Sequence, residues 1–319
     1  MSIPVRILSL TGERGGTIAE HCATYSRILE LHAGFHPDFI VFPENATTYG
    51  MEPPDRNYRP LAEPADGSSM RFYREVAQKY KAYVVGCYFR EAGAEGGKRG
   101  FAFNTANLLD RSGKTLGEYK KTYPVGCEYT WGFVPGPRKQ PVIATEYGPV
   151  GIAICFDIGF RETWESYGEQ GARIVFWPSA YPGGSPLAGY AVLNSYYVVT
   201  ATHERRMRIY DLMGRAVAKA SERDLALEAV LDLDEAYLHM DYANLHIDEI
   251  RRKYGENLFI EADSDLQWYH IVRRGGGSKL ADILAEYKLE SAKEYYARSR
   301  RDVDRQRETG DGPRYEPGW

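Results

Sequence analysis

The chain has 319 residues, 43% of them hydrophobic and 26% charged, the balance of a water-soluble globular protein with one large domain or two small ones. A formal net charge of −4 argues against a nucleic-acid or membrane-surface partner. Met1–Leu10 lacks the basic lead and long apolar core of a signal peptide, and no run is long enough to span a bilayer, so the expected location is the cytoplasm. There the scattered cysteines Cys22, Cys87, Cys127 and Cys155 are read as free thiols. The 25 tyrosines point to a lined pocket or an oligomer interface.

Val5–Leu10 reads as a first strand. A helix follows over Thr17–His32, with Ile18, Cys22, Tyr25, Ile28, Leu29 and His32 near one face. Phe39–Phe42 is a short apolar strand that Pro43 halts, leaving the Glu44 carboxylate at its C-terminal end. The stretch 52–67 is a loop, Ser68–Tyr80 a helix and Ala82–Phe89 a strand. Phe101–Leu109 and Thr115–Tyr119 flank Asp110-Arg111-Ser112-Gly113, a hairpin signal. Lys120 and Lys121 come next, then a long loop, Thr122–Gln140, dense in aromatic residues; loops of that length are usually functional.

The chain is organised around the apolar run Val150–Ile154, which opens after Gly148-Pro149 and ends on Cys155. A buried strand giving way to a loop at Cys155 puts a thiol where open α/β folds bind ligands. Nearby helix amides would lower its pKa and favour the thiolate. Beyond it, Glu162–Gln170 and Ser185–Ser195 read as helices, and Arg173–Trp177 and Tyr197–Ala201 as strands. Arg208–Tyr210 and Ala216–Ala218 form a second hairpin, and Leu225–Leu233 a last strand, so the core closes near Asp234. Helices separate the early strands and hairpins join the later ones, which implies an α/β class with mixed sheets under helices. In the remainder, Gly275-Gly276-Gly277 reads as a linker, Lys279–Arg298 as one helical stretch, and the charged tail from Arg300 as extended unless a partner holds it. Asp157 is read as a structural hydrogen-bonding residue. His203, with no second histidine near it, is read as structural or solvated rather than a metal ligand.

Glu44, Lys121 and Cys155 are three reactive types at three strand ends. Their motifs are Phe42-Pro43-Glu44, Tyr119–Pro124 (YKKTYP) and Gly151–Asp157 (GIAICFD). With Glu169–Ala180, the hairpin Arg208–Val217 and the closing Leu231–Glu235, in that order, they resemble the nitrilase, or carbon-nitrogen hydrolase, superfamily. The resemblance implies a four-layer α-β-β-α sandwich, with a catalytic domain over 1–235 and a C-terminal extension over 236–319 that packs on the core or a neighbouring subunit. It implies Glu44 as general base, Lys121 as the cation beside the tetrahedral intermediate and Cys155 as nucleophile. Glu128 would orient Lys121 and the substrate, and the Phe156 backbone N–H would help hold the oxyanion. Tyr49, Tyr123, Tyr129, Trp131 and Tyr181 are candidate pocket-lining residues. No metal or organic cofactor is called for, and the working form is expected to be a homodimer or larger homo-oligomer.

The chemistry is coherent without the family. A thiol of pKa ~8.5 is mostly protonated at neutral pH and needs a base or cation for activation. A carboxylate can take that proton and later activate water. Two departures bear on substrate. The run Ile158–Glu162 lacks the arginine that carbamoylases resembling this pattern carry near Ile158 or Gly159, and Cys-Phe-Asp stands where nitrilases usually have Cys-Trp-Glu. Both favour a small amide, cleaved through a thioester, over an N-carbamoyl compound or a nitrile, although Glu128-Tyr129-Thr130-Trp131-Gly132 looks nitrilase-like. Acyl transfer to an amine and a catalytically silent scaffold are the readings of a different class.

Overall fold

The computed structural model describes residues 4–97, 100–275 and 277–311, and they divide into two compact units, Val5–Leu231 and one made chiefly of the chain from Asp232 onward. In the first unit the alternation seen in the sequence builds two six-stranded sheets. β1 (Pro4–Leu10) leads to α1 (Ile18–Leu31), where Thr17 accepts a hydrogen bond from the Glu20 N–H at 3.2 Å and so caps the helix. β2 (Phe39–Val41), α2 (Ser68–Tyr80) and β3 (Tyr83–Glu91) follow, then a short α3 (Gly93–Gly96), β4 (Ala102–Leu109) and β5 (Thr115–Lys120). The loop over 122–140 holds a one-turn helix, α4 (Gly126–Thr130). The second sheet begins with β6 (Ile143–Thr145) and β7 (Gly148–Ile152) and continues through α5 (Arg161–Glu169), β8 (Ile174–Ser179), α6 (Ser185–Asn194) and β9 (Tyr197–Thr202). β10 (Arg208–Tyr210), β11 (Ala216–Lys219) and β12 (Ala226–Asp232) complete the unit.

The sheet orders are β12-β1-β2-β3-β4-β5 and β11-β10-β9-β8-β7-β6. β1, β2 and β3 are parallel, as are β7, β8 and β9, and hairpins add the antiparallel edges. The sheets face each other: Phe39 packs on Phe176 with ring centroids 5.1 Å apart, and the Ser9 hydroxyl donates to the Thr200 carbonyl at 2.5 Å. Parallel strands covered on both faces are apolar throughout, hence the unbroken burial of Phe39–Val41 and Ile174–Ser179. On the outer face of the first sheet Tyr25, Ile28 and Leu29 of α1 and Tyr73 and Val76 of α2 share a core with Leu8, Ile40 and Phe42. On the other side Trp164 of α5 stacks on Tyr190 of α6, and the Tyr167 hydroxyl donates to the Ile152 carbonyl. This is the four-layer α-β-β-α sandwich.

Several local expectations need correction. The Val150 strand stops at Ile152, and Cys155–Gly159 is a turn of 3-10 helix. On α1 His21 joins the buried stripe, with Cys22 half-buried against the same core. The second unit is an antiparallel sheet β13-β15-β14, with β13 at Glu235–His239, β14 at Leu258–Asp263 and β15 at Trp268–Arg273. The helices α7 (Met240–Ala243), α8 (Ile247–Tyr254), α9 (Leu280–Glu286) and α10 (Ala292–Thr309) accompany it. Leu238, Ile250, Ile271 and Ile283 belong to its own core. The stretch Lys279–Arg298 is therefore two helices, broken where Lys288 takes φ 52°. The tail from Arg300 is helical to Thr309 rather than extended. The helix carries a Ser291–Glu294 capping box and the pair Arg298–Asp302, and its Tyr295 and Tyr296 pack on His239 and Trp268. Gly276 of the expected linker and residues 312–319 lie outside the described residues.

Phe39 is fully buried between the sheets, against Tyr83 and Phe176. Phe39→Ala should cost about 3–5 kcal/mol in urea denaturation; a loss under about 1 kcal/mol would mean that the sheets do not depend on this contact.

Candidate active site

β5 is antiparallel to β4, and β4 to β3, so β5 runs the same way as β2 and their C-terminal ends point to one side. Glu44 follows β2 and Lys121 follows β5. The Lys121 ammonium lies 2.7 Å from Glu44 Oε1 and 2.7 Å from Glu128 Oε2, and all three residues are buried. Glu128 reaches it from α4, where its Oε2 also accepts the Val125 N–H at 2.8 Å. Asn104, on β4, fills the space between the carboxylates: its Nδ2 donates to Glu44 Oε1 and to Glu128 Oε1, both at 2.9 Å. A lysine carries three donors, and the two carboxylates take two of them.

Cys155 joins this group from the second sheet. Its thiol lies within electrostatic reach of Glu44 and Lys121 and beside Ser179 and Ala180. The backbone here is strained: Cys155 has φ 46°, in the left-handed region. Two contacts impose that turn. Trp177 Nε1 donates to the Cys155 carbonyl at 3.1 Å, and the Asp157 carboxylate accepts the Ile154 and Tyr123 N–H groups, each at 2.9 Å, and the Tyr119 hydroxyl at 2.8 Å. Burial raises Asp157 to about 6 against those donors. Asp157 is thus the structural residue that the sequence suggested, fastening the Cys155 turn to the chain around Lys121.

Electrostatics set the proton positions. Burial works to raise Glu44, but the Lys121 ammonium and the hydrogen bonds from Lys121, Cys155 and Asn104 outweigh it and hold the carboxyl low. Burial would lower Lys121; the charges of Glu44 and Glu128 prevail and hold it high. Burial raises the Cys155 thiol, the Glu44 charge raises it further, and Lys121 only partly offsets them. The resting sulfur is therefore a protonated thiol facing an ionised carboxylate. This corrects the expected thiolate: a 3-10 turn supplies too little dipole to overcome burial beside an anion.

The remaining candidates are scattered. Phe156 is partly exposed, its ring against Phe160. Tyr181 packs edge-on against Trp177 and lies within electrostatic reach of Cys155, Glu44 and Lys121. Tyr49 stacks on His203 with centroids 3.5 Å apart. Tyr123 stacks on Phe160 and donates to Glu162, Trp131 stacks on Tyr58, and Tyr129 is 64% exposed. Asn104 and Ser179 were not singled out from the sequence. For Asn104 a signal exists, an amide in the middle of an apolar strand. Among the described residues no three His, Cys, Asp or Glu side chains are grouped to hold a metal ion, and no helix is long and apolar enough to cross a membrane.

His203 is buried, which lowers it to about 4 even though its Nε2–H donates to the Glu44 carbonyl at 2.6 Å. An unfolded histidine titrates near 6.5, so between these values the unfolded chain binds more protons. The stabilisation is complete above about pH 6.5 and is lost as pH falls towards 4. Between pH 7 and 5 the wild type should lose about 2 kcal/mol that His203→Gln does not lose. Urea denaturation at both pH values checks this; parallel losses would refute it.

Known proteins bear on this geometry. The model of the carbon-nitrogen hydrolase family matches residues 18–238. β-Ureidopropionase from Arabidopsis thaliana is 32% identical over 155 residues, covering 45% of this chain and 37% of that protein. Deaminated glutathione amidase from Bos taurus is 27% identical over 238 residues, covering 67% of this chain and 72% of that one. This chain thus spans little more than a third of the plant relative and under three quarters of the bovine one. The amidase from Nesterenkonia sp. AN1, crystallised with acrylamide added to its active site cysteine, superposes with a TM-score of 0.61 at 19% identity, over 79% of this chain and 99% of that one. The chain belongs to the carbon-nitrogen hydrolase family.

Proposed function

We propose that the protein hydrolyses a small amide to a carboxylic acid and ammonia or an amine through a thioester on Cys155. The observation that carries this reading is the Lys121 ammonium held at 2.7 Å by both Glu44 and Glu128, with the Cys155 thiol within electrostatic reach of both Lys121 and Glu44. The Cys155 proton moves to Glu44 as sulfur attacks the amide carbon. The oxygen of the tetrahedral intermediate takes the third Lys121 donor and the Phe156 N–H, each such donor contributing roughly 3–4 kcal/mol. Glu44 returns its proton to the leaving nitrogen, and the C–N bond breaks. Glu44 then deprotonates a water that attacks the thioester, releasing the acid and regenerating the thiol.

The names of the relatives support an amide, and that of the plant relative supports a ureido compound as the alternative. The missing arginine near Ile158 weighs against the ureido reading. We place the enzyme in the cytoplasm, a reading supported by four free cysteines. A homodimer or larger assembly is supported by Leu193 and Val192 on α6, 80% and 39% exposed.

Magnitudes choose the test. Truncating Lys121 would leave two buried carboxylates unpaired, a loss of about 3–5 kcal/mol that confounds stability with catalysis. Cys155→Ala removes only the nucleophile. It should abolish ammonia release across a panel of amides, nitriles and ureido compounds while the melting temperature stays close to wild type; turnover by the variant would overturn the assignment. Wild type should release ammonia from amides first. Hydroxamate formation with hydroxylamine should report the acyl-enzyme.

A further inference from the structure

His203 lies just past β9, in the second sheet, yet bonds the backbone of Glu44 in the first. The Glu44 carbonyl can only accept, so Nε2 carries the proton and the ring is the neutral Nε2–H tautomer. Tyr49 covers one face in a parallel stack, 4° from coplanar. Gly12 lies against Nδ1: a Cβ there would come within 2.2 Å of Nδ1 and 2.8 Å of the Tyr25 hydroxyl. Gly12 is thus glycine for space. Nδ1 and the Tyr25 hydroxyl are both buried with no hydrogen-bond partner among the described residues. A histidine placed for its packing alone would not leave one nitrogen unpaired in order to direct the other at a carbonyl 159 positions away. That carbonyl sits in a turn that is not relaxed, since Asn45 has φ 41°.

We propose that His203, wedged between Tyr49 and Gly12, is a positioning residue that fixes the Glu44 backbone and with it the angle at which the carboxylate meets Cys155 and Lys121. This rests on the reading of Glu44 as the base. The clamp is a single donor at a set distance, so its loss shifts the carboxylate without removing it. Displacements of about 1 Å can lower turnover roughly 100-fold while leaving substrate affinity nearly intact.

The test is steady-state ammonia release on the best amide of the panel. His203→Phe keeps an aromatic ring against Tyr49 and loses the donor; kcat should fall roughly 100-fold with little change in KM. His203→Gln places an amide N–H near the same carbonyl and should restore kcat to within roughly tenfold of wild type. Gly12→Ala pushes an intact imidazole off its seat and should reproduce the loss. The proposal is overturned if His203→Phe retains full kcat, if His203→Gln is impaired as severely, or if the loss lies in KM alone. Should His203→Phe not fold, Gly12→Ala decides, and an unchanged kcat overturns the proposal. Glu44→Gln separates the two readings. Its retained turnover would overturn the base assignment and this proposal with it, whereas an inactive Glu44→Gln beside a fully active His203→Phe overturns this proposal alone.

Discussion

The structure depends on one buried cation held by two buried anions. Lys121 is 1% exposed, and Glu44 and Glu128 are both buried. Taking a single ion out of water costs several kcal/mol even after relaxation, so none of the three could occupy this place alone. Together they satisfy one another: Asn104 shares Glu44 Oε1 with Lys121 and also takes Glu128 Oε1, which Lys121 leaves open, while the Val125 N–H shares Glu128 Oε2 with the ammonium. The arrangement need not add net stability, because an apolar core of the same volume can do as well. What it adds is order. β2 and β5 are three strand steps apart, about 14 Å in a flat sheet. Their end residues meet only because the long side chains converge over Asn104 on the strand between.

The second sheet brings the sulfur. Its parallel strands end on the same side as β2, and the chain leaves β7 through a backbone conformation costing about 1–2 kcal/mol for a residue with a Cβ. Trp177 on β8 and Asp157 in the turn hold it there. Asp157 bonds Tyr119 and Tyr123, the neighbours of the lysine, so the nucleophile and the cation are tied through one carboxylate. A fault in any strand end would be felt by the whole group.

Much of this was legible in the sequence, because strand ends are punctuated. Pro43 marks the end of β2, the paired lysines the end of β5, and the apolar run before Cys155 the approach to the turn. Mixed sheets under helices follow from helices between parallel strands and turn residues between antiparallel ones, and the four-layer sandwich from the family resemblance. The illegible parts share a cause, dependence on residues distant in the chain. Asn104 looks like an ordinary strand residue until β2 and α4 stand on either side of it. His203 reads as structural or solvated, and only the facing sheets decide that it is structural. Tyr129 and Trp131 look like pocket residues because aromatics in a long loop attract attention, yet one is exposed and the other stacks on Tyr58. The part of α10 beyond Arg300 was hidden because it is charged and low in apolar residues, a composition that reads as an extended or disordered tail.

The charge count explains why a carboxylate can serve here where many thiol enzymes use an imidazole. Glu44, Glu128 and Lys121 sum to −1 with the thiol neutral, and a thiolate added to them would make −2 in a buried space. The sulfur therefore keeps its proton at rest, and the ion pair that activates other cysteines is forbidden. In the proposed mechanism the proton crosses to Glu44 and the sum stays at −1: one anion is erased and another appears, first on sulfur and then on the substrate oxygen. In that mechanism Lys121 never lacks an anion, since its third donor meets the oxyanion as Glu44 becomes neutral. An ammonium already fixed at 2.7 Å needs no reorganisation to do this, and interactions that strengthen only as charge moves are those that lower a barrier. The same account gives the geometry its tolerance. A carboxylate displaced from the sulfur would still pair with Lys121, so the site could hold its charge balance and its fold while losing the proton transfer on which turnover depends.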